Sequence, residues 1–155
     1  MKPEANDLFI SRTMKNVTRD QLWKAWADPK ILEQWWCPKP WTVKDVNMEL
    51  RPGGASQMVM CGPNGEEMPQ NGCIVYVKEK ECIVFTDCME KDWRPTGSSF
   101  MTAIITMKDC PGGVEYSAII KHKNEEDKKQ HEEMGFHSGW GTVFEQLEDI
   151  ARGLR

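Results

Sequence analysis

Near its C-terminal end the chain reads "MGFHSGWGTVFEQLEDIARGL", from Met134 to Leu154. His137 is the one side chain in this run that titrates near neutral pH, and an imidazole there is a weak candidate for general acid–base chemistry. Such a base wants a carboxylate to orient it or a nucleophile to activate, and spacing assigns it neither. Two readings stay open: a polar group in a binding site, or a buried histidine with a satisfied hydrogen bond. His122 and His131 read as a strand-end residue and a solvated-face residue. Cys37, Cys61, Cys73, Cys82, Cys88 and Cys110 contain no CxxC pair, and no cysteine–histidine cluster has zinc spacing. Most lie in or beside apolar strand-like segments and read as structural thiols. Cys37 stands apart, between Trp36 and Pro38. Gly53-Gly54 reads as a turn and not a phosphate loop, because neither a P-loop lysine nor a helix follows it directly. No metal and no cofactor is expected.

The element that must position His137 is a helix with glycines in it. Gly135, Gly139 and Gly141 fall within the helical pattern, and each interior glycine costs about 1 kcal/mol against alanine. Gly135 and Gly139 share a face. His137 lies three residues before Trp140 and seven before Phe144, so it is expected to point toward the sheet. The missing side-chain volume implies either a closer approach of helix and sheet or an empty space walled by His137, Trp140 and Phe144.

Upstream, "DLFISRTM" alternates as a first strand. In "VTRDQLWKAWAD", Thr18 and Gln21 have capping-box spacing and Val17 can staple onto Leu22. Asp28-Pro29 restarts a short second helix, "PKILEQWW", ending near Pro38. The period then changes to two. Val46, Met48 and Leu50 share a face; "ASQMVMC", "GCIVYV", "CIVFTD", "FMTAIITM" and "VEYSAIIKH" follow as strands separated by turns. "KNEEDKKQHEE" is charged on every side and reads as a solvated helix start or loop. The order is one strand, two short helices, about six antiparallel strands and a long terminal helix. Trp140, Val143, Phe144, Leu147, Ile150, Ala151 and Leu154 recur at threes and fours, so that stripe must cover the sheet.

With 155 residues and no linker, repeat or low-complexity tract, the expectation is a single domain over residues 1–155. The net charge of -4 argues against a general nucleic-acid binder. The start has no apolar signal core and no run approaches a membrane span, so a cytoplasmic protein without membrane insertion is expected. Seven tryptophans and ten methionines suit an irregular apolar cavity as well as an ordinary core.

The motifs together resemble the activator of heat-shock-chaperone ATPase homologue-like family, within the START-like, SRPBCC superfamily. "LWKAWADPKILEQWWCP" is similar to its opening signature. "ELRPGGASQMVMCGPNGEE" is similar to its strand, Gly-Gly turn, strand and PxG hairpin. "GCIVYVKEKECIVFT" matches the next hairpin, and "MGFHSGWGTVFEQLEDIA" the glycine-tryptophan start of its terminal helix. The resemblance runs from Leu8 to Ala151. Cys37 departs from it by replacing a glycine, and His137 by standing where an acidic or polar residue is common. The fold it implies is α+β: a helix-grip fold, with a curved antiparallel sheet of six or seven strands wrapped on a long C-terminal helix and two short helices after strand 1. It also implies a deep apolar cavity between that helix and the sheet. Superfamily members bind lipids, hormones and polyketides, and some are cyclases or aromatases. True chaperone activators use a related domain to contact the chaperone.

The expected ligand-binding set is Trp36, Trp41, Met58, Met60, Tyr76, Phe85, Met134, His137, Trp140 and Phe144. Trp36 and Trp41 flank Pro38-Lys39-Pro40 as an entrance lid. Met58 and Met60 share a strand face, and Tyr76 and Phe85 lie on the adjoining hairpin. Asn71 joins His137 and Tyr76 as a polar group. The register of the next strand decides between Met101 and Thr102. The expected function is binding of a small hydrophobic or aromatic ligand. The alternatives are a cyclase- or aromatase-type enzyme using the same cavity, and a chaperone-docking domain. Docking ranks lower because the chain reads as one domain without a partner-binding extension.

Overall fold

Thr18 opens the first helix as its spacing predicts. In the computed structural model, which describes residues Met1–Arg155, Thr18 Oγ1 accepts from the Gln21 N–H at 3.1 Å, and Gln21 Oε1 accepts from the Thr18 N–H at 2.9 Å. Helix α1 (Arg19–Ala27) follows and buries Leu22, Ala25 and Trp26. Asp28 caps α2 (Pro29–Leu32) through the Lys30 N–H. This second helix stops short of the expected "PKILEQWW" and gives way to tight turns. Those turns bring two consecutive tryptophans, Trp35 and Trp36, against Trp26, with ring centroids 5.3 and 5.2 Å away.

Seven strands form one antiparallel sheet. They are β1 (Asp7–Lys15), β2 (Thr42–Met48), β3 (Ala55–Cys61), β4 (Glu67–Lys78), β5 (Cys82–Thr86), β8 (Thr102–Cys110) and β9 (Gly113–Lys121), in spatial order β1-β9-β8-β5-β4-β3-β2. A two-stranded ribbon, β6 (Met89–Glu90) with β7 (Arg94–Pro95), lies in the connection between β5 and β8. Strand β4 starts five residues before the expected "GCIVYV". Its first half, Glu67 to Asn71, is exposed, so it carries no in–out alternation to read. Two bulges interrupt the pairing, between Lys44 and Asn47 in β2 and between Ile74 and Tyr76 in β4.

The charged segment is a helix, α3 (Glu125–Glu133), capped by Asn124 Oδ1 accepting from the Asp127 N–H at 2.8 Å. Gly135 then adopts φ +88° and starts α4 (Phe136–Arg152) in a new direction. Gly135 is therefore a joint between helices and not an interior helix glycine. Helix α4 buries Phe144, Leu147 and Ala151, and Val143, Ile150 and Leu154 pack beside them. This is the stripe expected to cover the sheet, and with it the molecule has the helix-grip architecture. Glu148 sits within the buried face, where its carboxylate accepts from Arg12 Nε at 2.6 Å and from the Lys15 N–H at 3.2 Å. No helix is long and apolar enough to cross a membrane.

Candidate ligand-binding cavity

Between α4 and the sheet the core does not close. A cavity of about 330 Å³ remains, and 15 of the 25 residues around it are hydrophobic, so its wall is apolar in kind. Strand β3 contributes Ser56, Met58 and Met60, whose alternation sends one side of the strand inward. Phe85 comes from β5, Ile105 from β8 and Tyr116 from β9. Helix α4 supplies Phe136, Gly139, Trp140, Val143 and Phe144 at the spacing of its inner face. The turns after α2 supply Trp35, Trp36, Cys37 and Pro38. Gln70, Asn71 and Met134 border the cavity and are exposed, which marks its open side; Met134 is 68 % exposed.

Gln146 fixes the tryptophan turn to α4. Its Nε2 donates to the Trp35 carbonyl at 3.2 Å and the Cys37 carbonyl at 2.8 Å, while its Oε1 accepts from the Lys39 N–H at 3.0 Å. Three backbone groups that no helix or sheet serves are thus satisfied by one side chain. Gly139 shortens the helix wall. A Cβ placed there would meet nothing closer than Pro38 Cγ at 3.9 Å, and one at Gly141 nothing closer than Ile10 Cδ1 at 3.9 Å. Neither glycine is required for close backbone approach.

The polar groups inside are few. Trp26 Nε1 donates to the Tyr116 hydroxyl oxygen at 3.1 Å. Burial raises the Tyr116 phenol well above its ordinary value, against the opposing pull of Trp26. Burial likewise pushes the Cys37 thiol up to about 11, with Cys61 adding to it, so Cys37 is a neutral thiol. At the α3 end, His131 is 7 % exposed and lies against Phe100, Phe136 and Trp140, with ring centroids at 5.0, 5.1 and 6.4 Å. Its Nδ1 is 2.9 Å from Nε2 of His122, whose Nδ1 is 2.9 Å from the Asn6 carbonyl. Burial, then the neighbouring His122, lowers His131 to about 4. Asp87 is the one carboxylate at the cavity, and both its oxygens accept backbone N–H bonds from Phe100 or Met101.

Of the expected set, Trp36, Met58, Met60, Phe85, Met134, Trp140 and Phe144 border the cavity, as do Asn71 and Met101. Three do not. Trp41 packs half-buried against the core outside it. Tyr76 is 49 % exposed, because the bulge at Val75 inserts one residue and turns Tyr76 to the outer face. His137 is exposed because the joint at Gly135 gives Phe136 the inward position, and the next residue lies about 100° around the helix. His131 is buried and paired with His122, not solvated; His122 stands at the end of β9, as expected, and is buried there. Trp26, Trp35, Cys37, Tyr116, His131 and Phe136 join the wall beyond that set. The WW pair in "EQWWCP" was the available signal for Trp35. His131 had none, since its neighbours in α3 are charged.

The family model described as activator of Hsp90 ATPase homolog 1-like protein matches residues 16–152. Among solved structures, a protein from Nitrosomonas europaea is 36 % identical over 95 % of each chain, with a TM-score of 0.90. One from Mycobacterium smegmatis is 26 % identical, covering 97 % of this chain and 93 % of that one, with a TM-score of 0.79. An AHSA1-like protein from Aeromonas hydrophila shares the fold at 15 % identity and a TM-score of 0.71, over 93 % of this chain and 90 % of its own. No curated protein matches. With the helix-grip architecture and a family match across most of its length, the chain belongs to the activator of Hsp90 ATPase homolog 1-like family, within the START-like, SRPBCC superfamily.

Proposed function

We propose that this protein, acting as one domain, binds a small neutral hydrophobic or aromatic molecule in the cavity between α4 and the sheet. The observation that carries this reading is a 330 Å³ apolar space kept open beside a glycine that packing does not require. That volume falls within the usual range for small-molecule sites, about 300–1,000 Å³. Trp36, Met58, Met60, Phe85, Trp140 and Phe144 supply the apolar contact. No lysine or arginine borders the space, and the Asp87 charge is engaged by backbone N–H groups, which favours a neutral ligand over a fatty-acid-type anion.

Native mass spectrometry of freshly purified protein tests the reading. The expected result is a mass excess lost on denaturation. An apo mass together with no quenching of the wall tryptophans by any naphthalene-sized compound would overturn it.

A cyclase-type activity in the same cavity is the second reading. It is favoured by the neutral imidazole of His131 at the wall, in place of the exposed His137. A chaperone contact draws on the family's name alone, and absence of retention on purified chaperone counts against it.

A further inference from the structure

The two edge strands of the sheet, β2 and β1, are built differently. Strand β2 is broken by the bulge between Lys44 and Asn47, with Asp45 at φ +54°, which blunts that edge against another strand. Strand β1 keeps an unbroken register against β9 over its nine residues. The Asn16 N–H donates to the Gly112 carbonyl at 2.9 Å, so the even-numbered residues of β1 turn their backbone groups toward β9. The odd-numbered residues turn theirs outward. At both ends these outward groups are engaged. The Asp7 N–H donates to the Glu4 carbonyl at 3.0 Å. The Lys15 N–H donates to the Glu148 carboxylate at 3.2 Å, and the Lys15 carbonyl accepts from Arg152 at 3.0 Å. Between them the N–H and C=O groups of Phe9, Ser11 and Thr13 meet no donor or acceptor of the chain.

A second β1 fits this edge. Laid antiparallel with the dyad at Ser11, it sets Ser11 opposite Ser11 and Phe9 opposite Thr13 of the other copy. Each such pair exchanges two backbone hydrogen bonds, so every free group is used. A register shifted by one pair leaves a residue of each copy unpaired. The side chains agree with the dyad at Ser11. Phe9, 44 % exposed, lands on Thr13, an aromatic ring against a β-branched side chain. Asp7 of each copy faces Lys15 of the other, which places opposite charges at both ends. All of these side chains lie on the face of the sheet away from α4, where Ser11 Oγ is 3.0 Å from Ser117 Oγ and Lys121 Nζ is 3.0 Å from Asp7.

We infer that the partner of this edge is a second copy of the chain, joined through β1 in a twofold antiparallel pair that makes two seven-stranded sheets one. The contact is isologous, so it closes at two copies and leaves no free edge at β1. An interface one strand long is small, and the dimer therefore dissociates on dilution. No residue of β1 borders the cavity, so dimerisation and ligand binding are separable.

Sedimentation equilibrium of the wild-type protein, up to millimolar concentration, is expected to show a reversible shift from the 17.9 kDa chain to twice that mass. Phe9→Glu is expected to weaken association at least about tenfold, because it removes the aromatic contact and adds a charge to each copy. Ser11→Cys is expected to link two chains through the introduced thiols under mild oxidation. Residues opposite each other in a hydrogen-bonded pair have Cα atoms about 5.5 Å apart, within reach of a disulfide. Thr13→Cys is expected to form no such link, since its two copies stand about 14 Å apart along the strands. Peptide masses separate these bridges from any made by the six native cysteines. A monomer at every concentration overturns the inference, and that arm depends on no variant folding. A dimer that Phe9→Glu leaves intact overturns it too, as does one linked as readily through Thr13→Cys as through Ser11→Cys.

Discussion

His122 Nε2 and His131 Nδ1 lie 2.9 Å apart, so two imidazoles share a buried hydrogen bond in which one ring must accept. The pair ties the end of β9 to α3, and through the Asn6 carbonyl to the start of β1. A second proton would have to enter a site walled by Phe100 and Phe136.

That geometry predicts acid sensitivity. His131 titrates at 6.5 when unperturbed and at about 4 in the folded protein, lowered by burial and then by His122. As pH falls below 6.5 the unfolded chain binds a proton that folded His131 refuses, so stability declines until about 4 and levels off below. Urea midpoints followed from neutral pH to pH 4 are expected to drop more steeply in the wild-type protein than in His131→Phe. Parallel curves would contradict the assignment.

Gly139 and Gly141 separate packing from function. Each has ordinary room for a methyl group, so Gly139→Ala and Gly141→Ala are each expected to stabilise α4 by up to about 1 kcal/mol. Gly139 borders the cavity and Gly141 does not. Thermal unfolding should therefore show similar gains, while a bulkier Gly139→Leu weakens ligand binding.

Gln146 holds the turn carrying Trp36 through three backbone hydrogen bonds. Gln146→Ala is expected to cost about 1–3 kcal/mol of stability through the buried groups it strands. The emission of the cavity tryptophans should shift to the red as water reaches them. An unshifted spectrum would mean that the turn holds itself.

Glu148 is buried, which alone raises its carboxyl. Arg12, the Lys15 N–H and Arg152 outweigh that and hold it below its ordinary value. Its contribution is present above the unfolded value of 4.5 and is lost as pH falls through the lower folded value. Glu148→Gln is expected to lose about 1–2 kcal/mol at neutral pH, discounted for the half-exposed arginines, and less in acid. A gap that does not narrow on acidification would place the loss in packing.

The elements were legible where local chemistry repeats. Thr18 and Gln21 announced α1, Asp28-Pro29 announced α2, and the stripe from Trp140 to Ala151 announced the covering helix. The sheet-side cavity residues Met58, Met60 and Phe85 followed from alternation. What escaped depended on single residues that change phase. Val75 at a bulge turned Tyr76 outward, and Gly135 in a left-handed conformation handed the inward position from His137 to Phe136. His131 is buried by tertiary contact with α4 and Phe100, and a run of charged neighbours carries no trace of that.

An open cavity between α4 and the sheet should accept a small aromatic molecule. Its most direct test is a tryptophan-fluorescence titration with naphthol on the wild-type protein, Gly141→Ala and Gly139→Leu. Saturable quenching of equal affinity is expected in the first two, and binding at least about tenfold weaker in Gly139→Leu. No saturable quenching in the wild-type protein, or one affinity shared by all three, would contradict it.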